Sequence, residues 1–184
     1  MKVEDTSLPG VVLLTPKLFG DQRGFFLEAW NRRRFREHGL DVDFVQDNIS
    51  LSRKGILRGL HFQNPQPQGK LVQVLHGEVF DVAVDIRRGS PTFGRWWGAF
   101  LSSINLQQIY IPEGFAHGFC VMSDTALFFY KCTNFYNPSA EFTLQWDDPD
   151  LGIAWPVEDP ELSAKDSEGV RLRDMPRETL PIYV

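Results

Sequence analysis

Gly77-Glu78-Val79-Phe80-Asp81-Val82-Ala83-Val84-Asp85-Ile86 is the most hydrophobic run of the chain, and its pattern repeats every two residues. Phe80, Val82, Val84 and Ile86 fall on one face, while Val79 and Ala83 on the other are also apolar. That pattern describes a strand covered on both faces, central in its sheet, with an inner face pointing into a barrel. Asp81 and Asp85 interrupt it, so even this run is no membrane span, and nowhere does the chain approach the ~18 uncharged apolar residues a span requires.

Further short runs rich in β-branched and aromatic residues lie on either side, bounded by turn residues. They are Val11–Pro16, Gly24–Ala29, Phe44–Leu51, Leu57–Gln63, Lys70–Leu75, Arg95–Leu101, Gln107–Ile111, Ala116–Met122, Ala126–Cys132 and Glu141–Gln145. One helix stands out, Asn31–His38 (NRRRFREH), with Phe35 inward, Gly39 as its stop and its arginines on a solvated face. So many short strands with one helix predict an all-β sandwich, jelly roll or barrel with short peripheral helices. After Asp150 the strand signal gives way to a polar tail with Pro156, Pro160, Pro176 and Pro181, expected to wrap the outside of the barrel.

At 184 residues the chain fits one domain, 1–184, without repeats or linkers. Apolar residues make 42% and charged residues 23%, which excludes disorder as the main state. Acidic residues outnumber basic ones, 24 to 19, without a basic stripe, so no nucleic-acid partner is expected. Met1–Gly10 lacks the apolar core of a signal peptide, and the expected location is the cytoplasm. Cys120 and Cys132 sit in apolar strand-like runs and read as two buried thiols.

Of the four histidines, His38 ends the helix and His76 lies in a turn, whereas His61 and His117 have strand-like, glycine-flanked surroundings. Gly55-x5-His61 and Pro112-x-Gly114-x-x-His117 resemble the two halves of the cupin signature, which implies a double-stranded β-helix, the cupin-type jelly-roll barrel. Gln63 stands where metal-binding cupins carry a second histidine, and neither Pro67 nor Gln68 replaces their glutamate. Two of four ligands remain, so no metal is expected and the site should perform acid–base chemistry.

Longer strings narrow the resemblance. Phe19–Glu28 (FGDQRGFFLE), Phe44–Asn48 (FVQDN), Leu57–Gln63 (LRGLHFQ), Gly69–Val72 (GKLV), Gly77–Asp85 (GEVFDVAVD), Ile111–Phe119 (IPEGFAHGF) and Leu162–Asp166 (LSAKD) occur in order and spacing similar to the dTDP-4-dehydrorhamnose 3,5-epimerase family, from about residue 3 to residue 175. The resemblance implies an isomerase without cofactor that inverts C3 and C5 of dTDP-4-dehydro-6-deoxy-D-glucose, giving dTDP-4-dehydro-L-rhamnose. It also implies a homodimer whose N-terminal strands cross between subunits. Alternatives are a single-carbon epimerase of another dTDP-4-keto-6-deoxyhexose and, more distantly, a metal-dependent cupin enzyme.

The same resemblance assigns candidate roles. Both reacting hydrogens flank the C4 ketone, so one base near it can generate an enolate, and His61 is the family's base because imidazole titrates near neutral pH. Asp166 pairs with it, Lys70 stabilises the enolate oxygen and Tyr130 is the general acid. Arg23, Arg58 and Lys165 match contacts to the charged substrate handle. Tyr136 matches the base-stacking aromatic, and Glu28, Gln46, Asp47, Asn48, His117 and Glu141 match further substrate contacts. Without the resemblance, Asp166 reads as a solvated tail carboxylate, Lys70 as an exposed lysine, Tyr130 as a core aromatic and the cations as surface charges. Ile49, where many relatives carry a polar residue, and Gln73, where arginine is common, are departures that bear on substrate detail.

Overall fold

Central strands buried on both faces and outer strands buried on one organise the molecule, and the computed structural model describes residues 1–183. The chain begins with β1 (Lys2–Asp5), β2 (Val12–Thr15), β3 (Leu18–Asp21) and β4 (Gly24–Leu27), followed by helix α1 (Arg32–Glu37). Next come β5 (Gln46–Arg53), β6 (Leu57–Gln63), β7 (Lys70–His76), β8 (Glu78–Asp85) and β9 (Trp96–Ser102). The barrel is completed by β10 (Gln108–Ile111), β11 (Phe115–Val121), β12 (Thr125–Cys132) and β13 (Glu141–Thr143), and helix α2 (Ala164–Ser167) lies in the tail.

Two antiparallel sheets face each other, one ordered β1-β2-β10-β7-β12-β5 and the other β13-β6-β11-β8-β9. This is the double-stranded β-helix arrangement expected of a cupin-type barrel. Between the sheets lies a core that includes Val72, Val74, Val79, Ala83, Phe119, Val121 and Phe128. Phe119 and Phe128 stack across it with ring centroids 4.0 Å apart. Each buried valine or phenylalanine of this set contributes roughly 1.5–3 kcal/mol through removal of apolar surface from water.

β8 lies between β11 and β9 and is covered on both faces, by different partners. Val79 and Ala83 face the barrel core, whereas Phe80, Val82, Val84 and Ile86 pack under Leu144, Leu151, Leu172, Met175 and Leu180 from the C-terminal segment. The longer apolar row is therefore the outer one, and the tail with its prolines is its lid. Asp81 consequently points inward, as the alternation requires.

Helix α1 starts at Asn31, whose side chain accepts from the Arg34 N–H, and ends where Gly39 adopts φ +86°. Phe35 buries its one apolar face against Trp30 on the outside of the first sheet. Two strands escape the sequence pattern. β1 is a charged edge strand, and β3 pairs only with β4 in a two-stranded hairpin whose residues are almost all exposed. Cys120 and Cys132 are buried free thiols. Among the described residues no helix is long and apolar enough to cross a membrane.

Candidate active site

Close approach of β6 to β11 builds the first wall of the site. Gly59 adopts φ +125°, and a Cβ there would lie 2.5 Å from the Gly118 Cα and 2.8 Å from the His117 carbonyl oxygen, so only glycine lets the strands meet this closely. Beyond that contact His61 stands directly opposite His117 in the register, both at the cavity. The opposite wall comes from the other sheet, where Lys70 on β7 and Tyr130 on β12 point inward beside Gln46, Asn48 and Ser50 of β5. The two sheets enclose a cavity of about 330 Å³.

Each imidazole is held by a buried carboxylate. His61 Nε2 lies 2.5 Å from Asp166 Oδ1, and the second oxygen of Asp166 accepts from the Ser163 hydroxyl at 2.7 Å. Ser163 is also the N-cap of α2 and accepts from the Asp166 N–H, so the short helix exists to present Asp166 to the barrel. Burial works to raise the Asp166 carboxyl, but hydrogen bonds from His61 and Ser163 and the charges of His61 and Lys165 hold it below its ordinary value. His117 Nε2 sits 2.9 Å from Asp81 Oδ2, both almost wholly buried. Burial lowers His117 below the usual histidine range against the pull of Asp81, so at neutral pH the ring is neutral and Nε2 donates to Asp81.

On the facing sheet, burial pushes Tyr130 up to about 12, so it holds its proton at neutral pH. Burial also pulls Lys70 below the ordinary lysine range. At the mouth, Glu141 Oε2 accepts from Lys165 Nζ and from the Tyr136 hydroxyl, each at 2.9 Å. Burial would raise Glu141, but these two donors keep it below its ordinary value. Arg58 Nε donates to Ser52 at 2.9 Å, and Gln46 binds both the Asn48 side chain and the Tyr136 N–H.

Most residues singled out from the sequence thus converge on this one cavity: His61, Lys70, Tyr130, Asp166, Arg58, Gln46, Asn48, His117, Tyr136, Glu141 and Lys165. Arg23, Glu28 and Asp47 do not line it. Arg23 pairs with Asp21 at the exposed tip of the β3–β4 hairpin, Glu28 pairs with Arg34 beside α1, and Asp47 pairs with Lys131 on the outer face of β5. Ile49 is also on that outer face, and Gln73 is buried where it accepts from Gln108, so neither departure from the family pattern touches the cavity. Sequence reasoning passed over Asp81 and Ser163. An aspartate inside an apolar strand was the visible signal for the first, and a capping serine three residues before Asp166 for the second.

As for a metal, Gln63, in the position of a cupin ligand, donates to the carbonyls of Gln66 and Phe135 and accepts from the Asn137 N–H. Its amide organises loops instead of facing the cavity. Among the described residues no group of three His, Cys, Asp or Glu side chains converges as a ligand set.

A proton acceptor backed by a carboxylate on one sheet, with a neutral phenol and an amine on the other, defines a cupin-type barrel equipped for acid–base chemistry on a bound small molecule. The sequence profile of the dTDP-4-dehydrorhamnose 3,5-epimerase family matches residues 5–174. The chain belongs to that family. It is 57% identical over 170 residues to a dTDP-4-dehydrorhamnose 3,5-epimerase of Neisseria gonorrhoeae, covering 92% of this chain but only 52% of that protein. To the enzyme of the same name from Shigella flexneri it is 55% identical over 176 residues, covering 95% of this chain and 97% of the other. Among solved structures, a dTDP-6-deoxy-D-glucose-3,5-epimerase of Legionella pneumophila in complex with dTDP-4-keto-L-rhamnose superposes with a TM-score of 0.97 at 51% identity, covering 100% of this chain and 98% of that one.

Proposed function

We propose that this protein is an isomerase that inverts C3 and C5 of dTDP-4-dehydro-6-deoxy-D-glucose to give dTDP-4-dehydro-L-rhamnose. The observation that carries this reading is the opposition of the His61–Asp166 pair on one sheet to Lys70 and Tyr130 on the other, across a single cavity. His61 removes the proton from the carbon next to the C4 ketone, and Asp166 holds the ring in orientation and stabilises the imidazolium that forms. The negative charge moves to the C4 oxygen, where Lys70 meets it; one fixed donor of this kind supplies about 3 kcal/mol of transition-state stabilisation. Tyr130 then protonates the same carbon from the opposite face, which inverts it. C3 and C5 both flank the ketone, so once His61 has released its proton to solvent and Tyr130 has regained one, the same groups serve the second carbon.

Arg58 and Lys165 are assigned to the diphosphate, Tyr136 to the thymine face, and Gln46, Asn48, His117 and Glu141 to the remaining polar contacts. Arg23, Glu28 and Asp47 are assigned to the substrate bound by a second copy of the chain. Support for a homodimer comes from the exposed apolar side chains beside them, Phe25 and Phe26 on the hairpin and Ile49 and Leu51 on β5. Incubation with dTDP-4-keto-6-deoxyglucose in D2O, followed by NMR, tests the reaction. Deuterium at both C3 and C5 of an inverted product is expected; deuterium at one carbon alone would make the protein a single-carbon epimerase.

A further inference from the structure

We infer that Asp81 is a positioning residue, the buried counter-charge that keeps Lys70 protonated inside the barrel while its other oxygen holds His117. This rests on the reading above, in which Lys70 acts as a cation at the enolate oxygen.

An ammonium group deep in a cavity loses its proton unless an anion compensates its desolvation. Lys70 lines the cavity, and the charges of neighbouring groups decide whether it keeps its proton there. The groups whose charges bear on it are, in falling order, Cys132 from β12, Asp81 from β8, Glu141 from β13 and Lys165 from α2, with His117 from β11 also coupled to it. Of the other titratable groups that line the cavity, Asp166 is committed to His61 and Ser163, Tyr130 keeps its proton, and His61 and Arg58 offer no negative charge. His117 is neutral, and Lys165 works against the charge. Burial raises the Cys132 thiol, so near neutral pH it carries no charge to offer. Glu141 is already committed to Lys165 and Tyr136. Asp81 remains. Its side chain is wholly buried, Oδ2 accepts from His117, and Oδ1 has no hydrogen-bond partner in the protein. A buried carboxylate oxygen left in that state is costly and is retained where its charge is needed.

The alternation of β8 explains the placement. Val79, Asp81 and Ala83 share the inward row, and the polar member of that trio is the one that holds His117. A purely structural role would need only a hydrogen-bond acceptor for His117, which an asparagine also provides.

Asp81→Asn separates the two roles, because it keeps the shape and the acceptor and removes the charge. Titration of Lys70 by NMR of its ε-carbon in the folded variant should show its pKa lowered by about one to three units relative to wild type. The alkaline limb of kcat should move to lower pH by the same amount, with KM changed far less. Asp81→Ser, smaller and also neutral, should do the same and serves if the asparagine variant folds poorly. A Lys70 titration that does not move in either folded variant overturns the inference. A lowered Lys70 titration with an unmoved kcat limb upholds the counter-charge and removes Lys70 from the reaction.

Discussion

His61 and Tyr130 come from different sheets, and this makes the order of proton transfers testable one side chain at a time. Tyr130→Phe removes only the hydroxyl from a partly buried ring that packs beside Phe128, so the fold should tolerate it. With His61 and Lys70 intact, an enolate still forms and is reprotonated from its original face. Product inversion should fall by roughly 10²–10⁴, while slow solvent deuterium incorporation with retained configuration persists, as read by NMR of recovered substrate. The sequence was informative where chemistry-bearing residues stood in recognisable motifs, as with His61, Lys70 and Asp166. It was silent on how Asp166 reaches His61, because the two are 105 residues apart and only the tail's path over the barrel joins them.

Runs rich in β-branched and aromatic residues, bounded by turn residues, located nearly every β-element, and a period of two shows only where the two faces differ. β6 occupies the expected Leu57–Gln63, whereas the charged β1 (KVED) and the short β3 (LFGD) carry too few apolar residues to form such a run and therefore left no mark. The same logic explains β8: period two is visible, but which row faces the core depends on the distant segment that covers the other. At the end of β8, Asp85 is fully buried and accepts from Arg87, Ser90 and Thr92, tying the turn into β9. Burial would raise its carboxyl, but these donors hold it below the ordinary 3.8. A depressed carboxylate stabilises the fold above the unfolded value and loses that contribution as pH falls through the folded value. Asp85→Asn should therefore cost about 3–5 kcal/mol at pH 7 in urea unfolding, with the difference from wild type shrinking below pH 3.8. An equal difference at pH 7 and pH 3 would exclude the linkage.

For the molecule as a whole, the cavity contains the acid–base groups, yet Arg23 and Glu28 are on surfaces outside it. The sequence could align them with substrate contacts but could not say whose substrate, because a linear pattern carries no information on which copy a hairpin serves. Subunit mixing decides this. Arg23→Ala and His61→Asn subunits should each be weakly active alone, and refolding them together should restore activity, since a cavity with intact His61 then meets a partner hairpin with intact Arg23. If both groups serve their own chain, every mixed dimer keeps two defective sites and no activity returns.

His61 is proposed as the base that opens the reaction, and solvent exchange reads that step directly. Wild-type protein in D2O should exchange the C3 and C5 hydrogens of dTDP-4-keto-6-deoxyglucose, and folded His61→Asn should lose exchange and inversion together, by roughly 10²–10⁴. Exchange at the wild-type rate in that variant would contradict the account.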